Sequence, residues 1–174
     1  YKRQVSGRAA KSISWERTFE ADIGEAGEIE YYVRKAAESV AARLRRENYA
    51  ASGVRLKLKT NRFEILTRQL QLDQPTQEGH VFATHARRLL PQIIDRGPFR
   101  LIGVGAYGLA RSHEDAQPAE QLGLLDDDSG RRNVKLEAAL DKLEERFGTD
   151  TVRRGGDWLR TRDLGVSYRP ESED

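Results

Sequence analysis

Cysteine and methionine are both absent from this chain of 174 residues. Without cysteine it can form neither disulfides nor thiolate metal sites, which fits a reducing cytoplasm. Because there is no Met and position 1 is Tyr, we expect a piece of a longer protein. No apolar run approaches the roughly 18 residues that cross a bilayer, and no signal peptide is visible, so we expect no membrane partner.

Net charge is also small, at +2, but the two parts of the chain differ in sign. Residues 1–112 carry 20 Lys and Arg against 12 Asp and Glu, a balance of +8. Residues 113–174 carry 10 against 16, a balance of −6. A basic front part suits a polyanionic partner, and an acidic tail suits a protein partner or a solvating linker.

Hydrophobic periodicity predicts secondary structure in the order β-α-β-β-α-β. The predicted strands are at 11–20, 54–59, 63–72 and 99–109, and the predicted helices are at 25–48 and 79–95. Pro91 lies inside the second helix and should kink or split it. In the third strand the apolar phase changes between Ile65 and Leu70, which indicates a bulge near positions 66–69. Positions 73–78 are predicted to form a loop.

This order predicts an α+β fold, a four-stranded and mainly antiparallel sheet with both helices on one face and the other face free. We expect a linker at 1–10 from an absent upstream domain, the folded domain at 11–112 and an acidic tail at 113–174. Leu136, Leu140, Leu143 and Phe147 recur in the tail at helical spacing and predict a helix near 134–147.

Cations alternate with apolar residues in the second predicted strand. Val54, Leu56 and Leu58 fall on one side of it, and Arg55, Lys57 and Lys59 fall on the other. Such a basic face suits sequence-independent contact with phosphates, with affinity from counterion release. The alternative interpretation of the same pattern is an ordinary solvated sheet face.

Several strings give the chain a family resemblance. They are KSISWERTFEADI at 11–23, VRLKLKTNRFEILTR at 54–68, FRLIG at 99–103, and RFG and VRRG at 146–148 and 152–155. Together they resemble the little finger domain and C-terminal tail of bacterial Y-family DNA polymerases of the DNA polymerase IV type. Ser14 stands where that family usually has Gly, and Trp15 stands at a variable position.

The resemblance implies the same β-α-β-β-α-β fold, a bacterial cytoplasmic location and a non-catalytic grip on primer-template DNA without sequence preference. Combined with the basic face, it predicts DNA contacts at Ser14, Trp15, Arg17, Thr18, Lys57, Lys59, Thr60, Arg62, Thr67, Arg68, Gln69 and Arg100. Trp15 and Arg17 lie in the apolar phase of their strand. For Trp15 that phase favours a place in the core, and stacking on a sugar or base is the alternative.

A peptide in the acidic tail, Gln121–Leu122–Gly123–Leu124–Leu125, resembles the bacterial sliding-clamp binding motif QLxLF. The resemblance implies that Gln121, Leu122, Leu124 and Leu125 bind the sliding clamp, as short extended peptides bind preformed pockets. Leu125 replaces the usual Phe, which should weaken the deepest contact. The alternative is a small apolar cluster that packs on the domain.

No pattern in the chain indicates catalysis or a cofactor of its own. His80, His85 and His113 lack ligand spacing, residues 126–128 lack the alternation of a calcium loop, and the GxGxxG string at 103–108 opens no βαβ unit. We interpret those glycines as a close-packed or bent strand.

The family resemblance also implies a parent enzyme, a DNA-directed DNA polymerase that uses Mg²⁺ held by carboxylates of a palm domain. This chain lacks those carboxylates, so we expect that it binds DNA and does not polymerise. We also expect it to be a monomer. One alternative is a protein-interaction module of a catalytically inactive polymerase relative that recruits partners to the clamp. A generic RNA-binding α+β domain is a more distant alternative, since stacking aromatics of that type are not evident.

Overall fold

The computed structural model describes residues 12–112, 136–137, 139–143 and 146–148. The elements are β1 (Ser12–Ile23), α1 (Ala26–Arg46), β2 (Tyr49–Thr60), β3 (Ile65–Thr76), α2 (Gly79–Leu89) and β4 (Phe99–Arg111). Two short 3₁₀ turns, Leu90–Gln92 and Ile94–Arg96, separate α2 from β4. The predicted order of strands and helices is confirmed.

The strands form one four-stranded sheet in the order β1-β4-β2-β3. Each neighbouring pair is antiparallel, so the predicted antiparallel α+β architecture is also confirmed. The last strand, β4, lies between the first two, which brings residues from distant parts of the chain side by side. β1 and β3 are the edges of the sheet.

One face of the sheet packs against both helices. Fully buried residues alternate along the central strands, with Val54, Leu56 and Leu58 on β2 and Ile102, Val104 and Ala106 on β4. The helices add Ile29, Val33 and Val40 from α1 and Phe82 and Ala86 from α2 to the same core. Because side chains alternate across a strand, residues 55, 57 and 59 must face away from this core.

The ends of both helices follow from local chemistry. Glu25 caps α1, since its carboxylate accepts the Glu28 N–H at 2.7 Å, and Arg43, Arg45 and Arg46 occupy the last turn, where the helix dipole favours cations. Burial and the neighbouring Glu25 charge raise the pKa of Glu28. Pro91 interrupts the second helical pattern as predicted, and α2 stops at Leu89.

Two sequence predictions about β3 are wrong. No bulge interrupts residues 66–69, because the strand pairs continuously with β2 from Ile65 to Gln71, and the irregularity lies beyond Gln71. The apparent phase change arises because Ile65 is exposed on the open face, although it is apolar. The loop predicted at 73–78 begins later, because β3 continues through Thr76.

The tail residues that the structure describes are helical at 136–137, 139–143 and 146–147. They lie within the helix predicted near 134–147, and Glu137 and Asp141 bind Arg45 of α1. The division into 1–10, 11–112 and 113–174 stays a prediction. Among the described residues, no helix has the length and apolar character needed to cross a membrane.

Candidate nucleic-acid interface

Arg55, Lys57 and Lys59 form a column of cations on the sheet face opposite the helices. Their placement follows from β2 itself, because Val54, Leu56 and Leu58 turn into the core. The described helical residues of α1 and α2 contribute to the core on the other face. Arg55, Lys57 and Lys59 therefore lie on the side of the described sheet that the helices do not cover.

The strand register places polar groups beside each of these cations. Ser14, Gly105, Arg55 and Gln69 lie in one row across the strands, and Glu16, Gly103, Lys57 and Thr67 lie in the next. Between them runs a groove of about 450 Å³, which we call the open-face groove. Its lining includes Ser12, Ser14, Glu16, Arg55, Lys57, Thr67, Gln69, Gly103, Gly105 and Tyr107.

Glycine at position 103 contributes no side chain to the floor of the open-face groove. A Cβ atom there would lie 2.7 Å from Cγ of Glu16 and 3.1 Å from the Trp15 carbonyl oxygen. The Glu16 side chain can therefore pass over β4, and its carboxylate binds Nζ of Lys57 at 2.9 Å. One cation of the column is thus held by an acidic residue from the neighbouring edge strand.

Arg55 is oriented by two groups on either side of it. Its Nε and Nη2 atoms donate to Oε1 of Gln69 at 3.2 and 3.1 Å, and its Cζ lies 5.5 Å from the ring centroid of Tyr107. The Tyr107 hydroxyl in turn donates to the Leu70 carbonyl at 2.8 Å. These contacts fix the direction of the guanidinium group at the rim of the open-face groove.

The remaining cations lie toward the β2–β3 turn. Nζ of Lys59 is 4.7 Å and Cζ of Arg100 is 5.4 Å from the ring centroid of Phe63. Arg100 also lies 3.9 Å from the Asp22 carboxylate. Arg62 is exposed within the turn. Hydroxyls, amides and cations distributed in this way can donate to a phosphate backbone without reading base sequence.

Comparison with known proteins places the chain in a family. Residues 10–124 match the model described as the impB/mucB/samB family C-terminal domain. The chain belongs to that family. The resemblance to Y-family polymerases of the DNA polymerase IV type, drawn from the sequence strings, is confirmed by this match and by the names of the relatives.

Curated relatives of this impB/mucB/samB C-terminal domain carry the name DNA polymerase IV. DNA polymerase IV 1 of Mesorhizobium japonicum is 36% identical over 154 residues, covering 88% of this chain and 34% of that protein. DNA polymerase IV of Brucella melitensis biotype 1 is 36% identical over 145 residues, covering 83% of this chain and 32% of that protein. The chain thus spans about a third of the length of these relatives.

A solved structure titled "Dbh Ternary Complex (substrates partially disordered)" is a weaker match to the impB/mucB/samB C-terminal domain. It has a TM-score of 0.48 and 16% identity, and it covers 55% of this chain and 28% of that chain.

Half of the predicted DNA contacts of this impB/mucB/samB C-terminal domain share the open face. They are Ser14, Thr18, Lys57, Lys59, Thr67 and Gln69. Arg62 lies in the β2–β3 turn, and Arg100 lies beside the Phe63 ring. Whether any of them contacts DNA stays a prediction.

Trp15 and Arg17 lie on the other side of β1, in the phase of buried Ile13. Trp15 packs partly buried against the core, as its phase favours. The Arg17 guanidinium lies 5.9 Å from the Phe19 ring and 5.6 Å from the Tyr32 ring of α1. Burial raises the pKa of Tyr32, although the Arg17 charge acts in the opposite direction. The structure does not bring these two residues together with the cation column.

Arg68 and Thr60 also lie away from the open-face groove. Arg68 of β3 pairs with the buried Leu56 of β2, so it lies on the same side of the sheet as the core. Its side chain is nevertheless exposed, because β3 is an edge strand. Thr60 is buried, and its hydroxyl accepts the Glu64 N–H at 3.2 Å, which stabilises the turn. The Thr60 hydroxyl therefore has a structural partner already.

Sequence reasoning missed several residues that shape this face. They are Ser12, Glu16, Tyr107 and Phe63, together with the groove floor at Gly103 and Gly105. The alternate glycines 103 and 105 were a usable signal, because they share one strand face. The partners of Glu16 and Tyr107 depend on register and could not be found from spacing.

The predicted clamp-binding residues Gln121, Leu122, Leu124 and Leu125 lie outside the described residues. His113 and residues 126–128 lie outside them as well. Within the described part of the chain, no group of three or more His, Cys, Asp or Glu residues is placed to hold a metal ion.

Proposed function

We propose that this domain binds primer-template DNA without sequence preference through its open face, as the non-catalytic DNA-gripping part of a translesion DNA polymerase in the bacterial cytoplasm. The observation that carries the proposal is the column Arg55, Lys57 and Lys59, with side-chain donors of two other strands in the same rows, Ser14 of β1 and Thr67 and Gln69 of β3. The names of the relatives support a DNA substrate for the whole protein.

The charge and shape of the face support phosphates as the recognised group. The cations lie at alternate positions of one strand, about 7 Å apart, which is close to the spacing of phosphates along a DNA strand. The groove floor has no side chain of its own at Gly103 and Gly105. The Glu16 side chain crosses the floor at Gly103 and binds Lys57. A monomeric domain with this surface needs no second copy to bind a duplex.

The parent protein, in this proposal, is a DNA-directed DNA polymerase that uses Mg²⁺. The described residues provide no acidic cluster to hold that ion. We expect no nucleotidyl transfer by this chain alone, and its contribution is to hold the DNA. Added Mg²⁺ should therefore affect DNA binding only through ionic strength.

Salt dependence tests the proposal directly. With about four phosphate contacts, the affinity for a primer-template duplex should fall about 100-fold between 50 and 200 mM salt. Fluorescence anisotropy of labelled DNA measures this, and two duplexes of unrelated sequence should give the same curve. An affinity that is unchanged across this range would contradict phosphate binding. A flat DNA titration at low salt would instead favour the protein-interaction module.

A pair of double variants locates the surface. Lys57→Gln with Lys59→Gln should weaken binding about tenfold and reduce the slope of log affinity against log salt by about two. The control is Arg87→Gln with Arg88→Gln on exposed positions of α2, which removes the same charge from the helical side. Equal losses in both double variants would show that net charge, and not this face, determines binding.

Glu16 gives a prediction of the opposite sign. Its carboxylate binds Lys57 at 2.9 Å in the middle of the basic face. Glu16→Gln removes a negative charge and releases Lys57 for a phosphate, so we expect binding about three- to fivefold tighter with a steeper salt slope. Anisotropy titrations check this. Weaker binding would show instead that Glu16 is needed to position Lys57. Because the ion pair is exposed, its removal should have little effect on the stability of the fold.

For the tail, we propose that Gln121–Leu125 tethers the protein to the sliding clamp. The support is the peptide string itself, in an acidic segment that follows β4. Leu124→Ala with Leu125→Ala should abolish clamp binding in a pull-down or surface plasmon resonance assay and leave DNA affinity unchanged. Retained clamp binding would contradict the tether.

A further inference from the structure

The β2–β3 turn presents an aromatic residue in an unfavourable backbone conformation. Phe63 has φ of +66° and is 59% exposed. Its N–H donates to the Thr60 carbonyl at 2.9 Å, and the Thr60 N–H donates to the Glu64 carbonyl at 2.9 Å, which closes the turn. Hairpin turns of this kind favour Gly at the left-handed position, because an L side chain is strained there.

Burial does not account for Phe63. The ring lies outside the core, and the neighbouring open-face residue Ile65 is exposed as well. An exposed aromatic residue held in strained backbone is the kind of outlier that points to a binding role.

The charges around the ring favour a nucleic acid over an apolar protein surface. Nζ of Lys59 lies 4.7 Å and Cζ of Arg100 lies 5.4 Å from its centroid. Lys59 also ends the cation column of the open face, so ring and column are continuous. An aromatic side chain among cations is the arrangement by which proteins hold single-stranded nucleotides, with phosphates on the cations and a base on the ring.

We propose that Phe63 stacks on an unpaired base next to the duplex that the open face holds. This inference rests on the proposed DNA binding and adds to it a preference for a junction between double-stranded and single-stranded DNA. Lys59 and Arg100 bind the phosphates that flank the unpaired base. The ring supplies no base-specific hydrogen bond, so the contact tolerates any base sequence.

Comparison of two DNAs tests the stacking. The wild-type chain should bind a duplex with a single-stranded extension about five- to tenfold more tightly than a blunt duplex of the same length. Phe63→Leu keeps an apolar side chain but removes the aromatic face, and it should bring that ratio close to one with an unchanged salt slope. Phe63→Trp should keep the ratio. A 2-aminopurine in the extension should be quenched by the wild-type chain and not by Phe63→Leu.

Ile65→Ala is the matched control, because it shortens an exposed apolar neighbour that has no aromatic face. The ratio should be unchanged in this variant. If Ile65→Ala lowers the ratio as much as Phe63→Leu, the turn is a general apolar patch and the stacking proposal is wrong. The proposal is also wrong if Phe63→Leu keeps the wild-type ratio. In either case the effect of salt and of Lys57 and Lys59 on duplex binding still tests the proposed function separately.

Thermal unfolding provides an independent test. If Phe63 is kept for binding in spite of backbone strain, Phe63→Gly should lose the preference for the extension and raise the Tm by about 2 °C. Binding and stability then move in opposite directions, which a purely structural role would not produce. A lower Tm would show that the ring contacts with Lys59 and Arg100 stabilise the turn more than the strain costs, and it would overturn the argument from strain.

Discussion

Gly53→Ala should lower the free energy of unfolding by about 2–3 kcal/mol, and the Tm by about 10 °C or more, although the change adds one methyl group. The reason is Tyr107, which pairs with Gly53 across β4 and β2 on the open face. Its ring lies over Gly53, and a Cβ there would overlap the ring atoms. The ring would have to move away.

Moving Tyr107 breaks a connection across three strands. Its hydroxyl donates to the Leu70 carbonyl of β3 at 2.8 Å, and its ring lies 5.5 Å from Cζ of Arg55 on β2. Loss of the hydrogen bond adds about 1 kcal/mol to the steric cost. Because β3 is an edge strand, we also expect faster amide exchange along it.

Gly105→Ala is the matched control for Gly53→Ala. Gly105 lies on the same face of the sheet, on the neighbouring strand β4 and in the next row. A Cβ there would lie 3.4 Å from Cβ of Ser14, which is an ordinary contact. Its effect should stay within about 0.5 kcal/mol. Urea unfolding measures both, and a Tyr107→Ala background provides the second test. If the clash with the ring is the cause, Gly53→Ala should cost far less in that background. An equal cost in both backgrounds would contradict this explanation.

The sequence alone could predict which residues of a strand lie on the open face, but not which residues lie beside them on other strands. Strict alternation in residues 54–59 was enough to place Arg55, Lys57 and Lys59 opposite the core, because the side-chain period of a strand is fixed. The pairing of residues between neighbouring strands could not be predicted in this way. Nothing in the spacing of Glu16, Gly103 and Lys57 shows that they share a row, since β4 inserts between β1 and β2 only in the folded sheet.

An exposed apolar residue explains why the bulge predicted in β3 is absent. Ile65 suggested a buried phase, and Arg68 seemed to belong to the opposite face, yet both lie on the edge strand β3. An edge tolerates an exposed apolar residue and a cation on the core side, because solvent reaches both. Arg17 follows the same logic on the other edge, β1, beside the rings of Phe19 and Tyr32.

The tail helix was predicted from its apolar spacing, but the structure attaches it to the body through charge. Leu136 and Phe147 belong to the apolar spacing that predicts the helix, yet both are exposed. Glu137, which is not part of that spacing, is only 6% exposed. Amphipathic spacing identifies a helix but does not show which of its side chains finds a partner on another element.

Arg45→Met should release that tail helix and weaken its docking by about 2–3 kcal/mol. Arg45 lies in the last turn of α1, and Nη1 donates to Oε2 of Glu137 at 2.6 Å. Nε and Nη2 donate to the two carboxylate oxygens of Asp141 at 2.6 and 2.7 Å. A two-pronged guanidinium–carboxylate pair of this kind is among the stronger polar contacts in proteins.

The same cluster supports the start of α2. The Glu137 carboxylate accepts the Gly79 N–H at 3.0 and 3.2 Å, while Glu78 at the N-cap makes no side-chain capping bond. A tail residue therefore caps a helix of the body, where the helix dipole favours a negative charge. Without Arg45, Glu137 would be buried next to Gly79 with its main cation missing, so undocking into water becomes easier than in the wild-type chain.

Amide exchange at Gly79 measures this docking directly. Arg45→Met should accelerate exchange there about 30- to 100-fold, since each tenfold change corresponds to about 1.4 kcal/mol, and should increase proteolysis of the tail before the body unfolds. The control is Arg43→Met on the same helix, where the exposed pair with Glu47 contributes at most about 0.5 kcal/mol. Similar exchange rates in both variants would contradict docking by Arg45. Arg45→Met with Glu137→Gln should restore part of the protection, because the Gln side-chain oxygen can still accept the Gly79 N–H and no buried charge is left at position 137.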